Sequence, residues 1–449
     1  MERLIRRRDF LRLTGGALGL SALLTACGGE DSTPTPADSG SPSPPPAASG
    51  GTSDGSAASP ITSPTTAGAA TPASSASGEP IRIGVLLTLS GPQGVNGEGN
   101  LRGLTLALDQ AGMQFGGRPV ELIIEDSAGQ PEQAITKTRQ LIERDRVHLI
   151  AGITLSNEAA AVRDILVQAE MPTIVTNAGL QALTRDPAMR SPYLFRVSFA
   201  NGQYDAPAAD YAYETLGYRR MVLHAADYAA GHEEMAAFRS RFEQAGGEIV
   251  DEVVAPIGTQ DFGPYLQRIE QAAADADAVF AFHGTSTDAI RFLVQYQEFG
   301  LKDSIPLIPS GADVDQSILP EIGDAALGLV SGTLYTAYND TPESQEFVEA
   351  FTARHEGILP GLVDYAGYIG GRVIAEALTA IDGEVENKET LLQALKAVEF
   401  TGPAGNFRFH PESQGPVTTI LLCRVEQLDD GTYANIVVDR IPDFDDLSF

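Results

Sequence analysis

Hydrophobic positions along this chain fall into two alternating kinds of run. From Ile81 onward, short β-branched stretches predict strands at Ile81–Leu87, Val120–Glu125, His148–Gly152, Thr173–Thr176, Met221–His224, Glu248–Val254, Ala278–His283 and Pro306–Pro309. Between them, Asn100–Gln114, Pro131–Asp145, Asn157–Glu170, Gln203–Leu216, Gly231–Ala245, Phe262–Ala274 and Asp288–Phe299 place apolar residues three or four apart. That is the spacing of helices packing on a sheet. Strands alternating with crossover helices imply parallel sheets covered on both faces, an α/β fold. One set of units precedes about Ser198 and a second follows about Asn201. Leu329–Thr336 then reads as a strand leading to helices Ser344–His355, Tyr365–Ala380 and Lys388–Val398, with a final strand pair near Thr418–Val425 and Ala434–Asp439.

The pattern predicts two doubly wound parallel-sheet lobes joined by a multi-strand hinge. Residues 80–199 form the first part of lobe 1 and 200–333 the first part of lobe 2. Residues 334–412 return to lobe 1, and 413–449 return to lobe 2 and end in a tail. Hinge crossings are expected at Ser198–Asn201, Tyr335–Tyr338 and Ser413–Pro416, a geometry suited to closure around a ligand.

The first 79 residues follow neither period. Residues 6–12 read R-R-R-D-F-L-R, and Leu13–Ala26 is apolar but too short and too Gly/Thr-interrupted to span a membrane. Residues 1–26 therefore read as a signal peptide. Arg7-Arg8-x-Phe10-Leu11 resembles the twin-arginine export signal, and Leu24-Thr25-Ala26-Cys27-Gly28 resembles the bacterial lipobox, whose cysteine carries lipid. Behind Cys27, residues 28–79 contain 46 Ser, Thr, Pro, Ala or Gly and only Ile61 as a large apolar side chain. Such a segment cannot bury enough surface to offset the entropy of ordering, so 27–79 reads as a lipid-anchored tether.

The formal charge of −30 and the lack of a Lys/Arg stripe after residue 12 argue against nucleic acid as a partner. Of the two cysteines only Cys423 lies in the α/β region, which excludes a disulfide within it; in its apolar run Cys423 reads as a small buried hydrophobe. No G-x-S-x-G, Walker loop, H-E-x-x-H or dinucleotide fingerprint follows a strand, and the six histidines show no ligand spacing apart from His224 and His232, of which His232 reads as an exposed helix residue. Neither an enzyme nor a cofactor or metal is expected. An exported enzyme and a ligand-sensing ectodomain working through a separate membrane protein are the alternatives.

The string I-R-I-G-V-L-L-T-L-S-G-P-Q-G-V-N-G-E-G-N-L-R-G-L-T-L-A-L-D-Q-A-G from Ile81 resembles the first βα unit of the type I periplasmic binding proteins of the leucine/isoleucine/valine class. Gly116–Leu122 with Glu125-Asp126-Ser127, Ile150-Ala151-Gly152 with Ser156, and Met171–Ile174 with Thr176-Asn177-Ala178 continue the likeness. It thins through His224-x-x-Asp227-Tyr228-x-x-Gly231 and Phe262 into Ala281–Gly284. The resemblance implies an extracytoplasmic, monomeric receptor that delivers a branched-chain amino acid, or a related small polar molecule, to an ABC permease.

It also implies a site. Ser156, read as the N-cap of a helix starting near Asn157, would hold a carboxylate on free backbone N–H groups. Ala178 and Gly179 match the strand end where the family offers a carbonyl and a hydroxyl to the ligand amine, although no hydroxyl stands at the second position. Tyr228 matches an aromatic wall of lobe 2, Asn96 a first-loop position that is often aromatic, and Thr285 and Ser286 the opposite wall. Where an acid often meets the ammonium the chain has Gly311, with Asp313 two residues on as a possible substitute.

Overall fold

The computed structural model describes residues 78–449; the export signal, Cys27 and the tether lie outside the described residues. Chain order is β1 (Ile81–Leu87), α1 (Gly94–Gln110), β2 (Gln114–Phe115), β3 (Arg118–Asp126), α2 (Pro131–Glu143), β4 (Leu149–Gly152), α3 (Ser156–Gln168), β5 (Thr173–Val175), α4 (Ala182–Arg185) and β6 (Leu194–Arg196). Then come α5 (Ala206–Glu214), β7 (Arg220–Ala226), α6 (Ala229–Ala245), β8 (Glu248–Ala255), α7 (Gly263–Ala272), β9 (Ala278–Phe282), α8 (Ser286–Glu298), β10 (Leu307–Pro309) and α9 (Leu319–Ile322). The last third holds β11 (Val330–Thr333), α10 (Pro342–Arg354), α11 (Leu362–Ala380), α12 (Lys388–Lys396), β12 (Glu399–Gly402), β13 (Gly405–Phe409), β14 (Pro416–Gln427) and β15 (Tyr433–Asp445).

Three sheets result. The first runs β2-β3-β1-β4-β5-β6 and is parallel except for the β2–β3 hairpin; the second, β10-β9-β7-β8, is wholly parallel. β4, β5 and β9 are buried at every position, as expected where helices cover both faces. The third, β11-β14-β13-β12 with β15 beside β14, is antiparallel. It joins the lobes: Phe407, Phe409 and Ile420 belong to the core under β1, whereas Leu422 and Val425 of the same β14 enter the cores under β7 and β9.

Helix α11 packs along α1 in lobe 1, and the contact is close because Gly103 lies on the Asp364 carbonyl, where any Cβ would overlap it. Helix α1 begins at Gly94, six residues before the expected start at Asn100. Its glycine-rich opening reads as loop by propensity, yet Gly97 is buried against the Thr88 carbonyl in a space that admits no side chain. Packing there overrides propensity.

The short strands β6, β12 and β13 carry too few residues for a legible period. β15 extends to Asp445 because it pairs with β14 through two register irregularities, well past the Asp439 expected from its apolar run. Cys423 is fully buried, and burial pushes its thiol up to about 12, as expected for an inert hydrophobe.

Candidate functional site

The strands of both parallel sheets end at one cleft, the place where open α/β sheets bind ligands. Its volume is about 660 Å³, and it is lined by the loops after β1, β3, β4 and β5 on one side and after β7, β8, β9 and β10 on the other. Among the described residues no Lys, Arg or His lines it.

The lobe 1 wall is built on a strained turn. After β4, Gly152 (φ 117°) and Ile153 (φ 67°) adopt left-handed conformations, which a β-branched residue holds only under constraint from its surroundings. The constraint comes from the Ile153 N–H donating to Leu86 O (2.6 Å) and the Ile153 carbonyl accepting from Ala178 N–H (2.9 Å). The turn delivers Thr154, Leu155, Ser156 and Asn157 to the cleft. Thr154 Oγ1 accepts from Thr88 N–H (2.9 Å), and the Thr88 hydroxyl donates to the buried carboxylate of Glu158 (3.1 Å). That carboxylate also accepts from Leu155 N–H (3.2 Å), closing the start of α3.

Ser156 is therefore the first residue of α3 and not its N-cap, which is the extended Leu155. The cause is local: Glu158 folds back on the Leu155 N–H, and Asn157 Oδ1 accepts from Glu158 N–H (3.0 Å). The Ser156 and Asn157 N–H groups, which have no intrahelical acceptor, stand at the cleft. Gln93 and Asn96 complete this wall. Asn96 sits on the first turn of α1, not in a loop, and its amide donates to Gln93 Oε1 (2.7 Å).

Ala178 does not reach the cleft. It is buried in the lobe 1 core, its N–H is spent on Ile153, and its neighbours Asn177 and Gly179 line the cleft instead. Gly179, where the resemblance would place a hydroxyl, has none, and its carbonyl accepts from Asn201 N–H (2.7 Å).

The lobe 2 wall is aromatic. Tyr228 precedes α6, its ring parallel to Phe282 at 6.3 Å, and burial raises its phenol well above the ordinary range. Thr285 caps α8, accepting from Asp288 N–H (3.1 Å), with Ser286 at the first helical position. Three long helices, α3, α6 and α8, thus point their N-termini at one cavity, whose potential favours a negative group.

No acid can occupy position 311, because a Cβ on Gly311 would overlap the Gly332 carbonyl. Asp313 lines the cleft but is only 1% exposed and is held by His283, which donates its backbone N–H (3.0 Å) and faces it with Nδ1 (2.8 Å). Burial pushes Asp313 well above its ordinary value and His283 down to about 3, favouring the uncharged form of each. Asp315 accepts from the N–H groups of Leu362 (2.9 Å) and Ser317 (3.0 Å).

Sequence reasoning missed Gln93, Thr154, Phe199, Asn201 and Tyr204, which also line the cleft. Thr154 and Gln93, which follow strands β4 and β1, were within reach of the strand-end argument. Phe199, Asn201 and Tyr204 come from a crossing that carries no period.

The family model described as periplasmic binding protein matches residues 80–432. Leu/Ile/Val-binding protein homolog 6 of Brucella suis is 31% identical over 81% of this chain and 92% of its own. A solved ABC transporter substrate-binding protein from Sphaerobacter thermophilus is 99% identical over 82% of this chain and all of its own, with a TM-score of 0.82. A solute binding protein of an ABC transporter from Rhodopseudomonas palustris, solved in complex with 3,4-dihydroxybenzoic acid, is 32% identical over 82% of this chain and 98% of its own, with a TM-score of 0.75. A two-lobed cleft at paired strand ends and a family match spanning both lobes converge: the chain belongs to the periplasmic binding protein family, as a substrate-binding protein of an ABC transporter.

Proposed function

We propose that this chain is an exported, lipid-anchored receptor that closes on a small carboxylate without an ammonium group, first of all an aromatic acid, and passes it to its permease. The observation that carries this reading is the cleft's charge pattern. Helix N-termini and neutral amides and hydroxyls converge on it without a cation, and its two acids, Asp313 and Asp315, already hold donors. A carboxylate would sit at the Ser156 and Asn157 N–H groups, with Asn96 and Gly179 beside it. An apolar or aromatic body would lie on Tyr228 and Phe282, near Thr285 and Ser286. The Rhodopseudomonas relative, solved with an aromatic acid, supports the ligand class.

A branched-chain amino acid is the second reading. It is favoured by the name of the Brucella relative and by Asp313 on the cleft wall. Lipid attachment at Cys27 is supported by Leu24–Gly28 and the tether composition.

Ligands that bind only the native state raise the melting temperature, so a thermal-shift panel separates the readings. At equal concentration benzoate and 3,4-dihydroxybenzoate should shift the melt more than leucine, isoleucine or valine. The reverse order would support the amino-acid reading. In cells expressing the full chain, Cys27→Ala should leave the membrane fraction; retention after salt washing would place the anchor elsewhere.

A further inference from the structure

One side chain belongs both to the cleft wall and to the first crossing between the lobes. Asn201 lines the cleft and is only 4% exposed. Its backbone is tied to lobe 1: its N–H donates to Gly179 O (2.7 Å) and its carbonyl accepts from Gln181 Nε2 (2.6 Å). Its side chain is tied to lobe 2, where Nδ2 donates to Glu233 Oε2 on α6 (2.7 Å). The same Oε2 accepts the Gln181 N–H (3.3 Å), so one carboxylate oxygen of lobe 2 holds both the crossing and the loop after β5. Glu233 stands behind the cleft lining, and Arg196 and Arg185 face it and oppose its charge.

These contacts fix the amide. A carboxylate has no hydrogen to give, so Asn201 must turn its nitrogen, not its oxygen, toward Glu233. One hydrogen of that nitrogen is spent on Oε2, and the other is left for Ser156 Oγ, 3.5 Å away. A serine hydroxyl that accepts on that side keeps its own hydrogen for an anion in the cleft. The amide oxygen is placed by the same rotation. It lies over Gly179, where a Cβ would overlap it, so Asn201 fills the space that a side chain at 179 would need.

We propose that Asn201 is a positioning residue of the anion site: gripped by Glu233 from lobe 2, its amide sets the Ser156 hydroxyl as a donor toward the ligand's carboxylate. The proposal rests on a carboxylate seated at Ser156. The anion end of lobe 1 is then completed by a contact from lobe 2. A change at Asn201 reaches the ligand through Ser156, and a change at Glu233 reaches it through Asn201.

The test is a double-mutant cycle on the full chain, read by calorimetry with benzoate at pH 7 and by thermal melts without ligand. Ser156→Ala and Asn201→Ala should each weaken the Kd at least about threefold, the scale of one hydrogen bond. With both changes together the loss should stay within about twofold of Ser156→Ala alone, because the amide then has no hydroxyl to orient. A residue that merely supports the fold would lower the melting temperature and multiply its loss of affinity onto that of Ser156→Ala. Multiplied losses, or an Asn201→Ala or Ser156→Ala Kd equal to the parent's, would overturn the assignment. Glu233→Ala should reproduce the loss seen with Asn201→Ala, and Glu233→Gln, which keeps an acceptor oxygen, should restore most of it; parental affinity in Glu233→Ala would remove lobe 2 from the mechanism. If Asn201→Ala does not fold, Asn201→Ser, too short to reach both partners, carries the same cycle. Absence of benzoate binding to the parent would instead count against the aromatic-acid reading, and leucine, whose carboxylate would meet the same hydroxyl, then takes its place in the cycle.

Discussion

The two walls of the cleft are made of different chemistry. Lobe 1 presents backbone N–H groups, hydroxyls and amides on a turn strained at Ile153, with Thr154 and Glu158 fixing the start of α3. Lobe 2 presents the rings of Tyr228 and Phe282, and its two acids, Asp313 and Asp315, already hold donors. Donors that are fixed before the ligand arrives lose little entropy on binding, so the first wall is suited to holding charge. A stacked aromatic surface is suited to covering an apolar body. The division makes closure meaningful, since neither wall alone satisfies both ends of a ligand.

The sharpest way to break this comparison is to delete one donor from lobe 1 without disturbing the helix. Ser156 stands at the first helical position after an extended Leu155 (φ −111°, ψ 147°), where proline is favoured and the preceding residue already has the required conformation. Ser156→Pro should therefore fold with a melting temperature close to the parent's. It should bind a carboxylate about 10- to 100-fold more weakly, the loss of a charge-assisted hydrogen bond worth about 1.5–3 kcal/mol. Calorimetry and a thermal melt on the same sample check both halves, and unchanged affinity would remove the anion from this wall. With Ser156 as an N-cap, as the sequence suggests, the same change would distort the turn.

A smaller effect sharpens the other side. Asp313→Asn preserves shape and leaves an acceptor for His283. If lobe 2 holds no ligand charge, affinity for benzoate should change less than about threefold. A tenfold loss for an amino-acid ligand in the same titration would show that Asp313 meets an ammonium.

Much of this architecture could be read from the chain. Alternation of short β-branched runs with helical runs predicts both parallel sheets, since strands buried on both faces write continuous apolar sequence. The cleft lining was legible where it sits at strand ends, as with Ser156, Tyr228, Thr285 and Ser286. It was hidden where space or pairing decides. Ala178 is turned inward by the hydrogen bond of its own N–H to Ile153. The missing acid at 311 follows from the Gly332 carbonyl, and the engagement of Asp313 from His283, thirty residues away.

The central claim is that the cleft seats a carboxylate and has no place for an ammonium. The most direct measurement is isothermal calorimetry at pH 7 with 3-phenylpropanoate and phenylalanine, which share a carbon skeleton and differ by the amine alone. The account predicts that 3-phenylpropanoate binds at least about tenfold more tightly, because burying an unpaired ammonium costs more than any contact it gains. Tighter binding of phenylalanine would contradict it and restore Asp313 as the ligand's counter-charge.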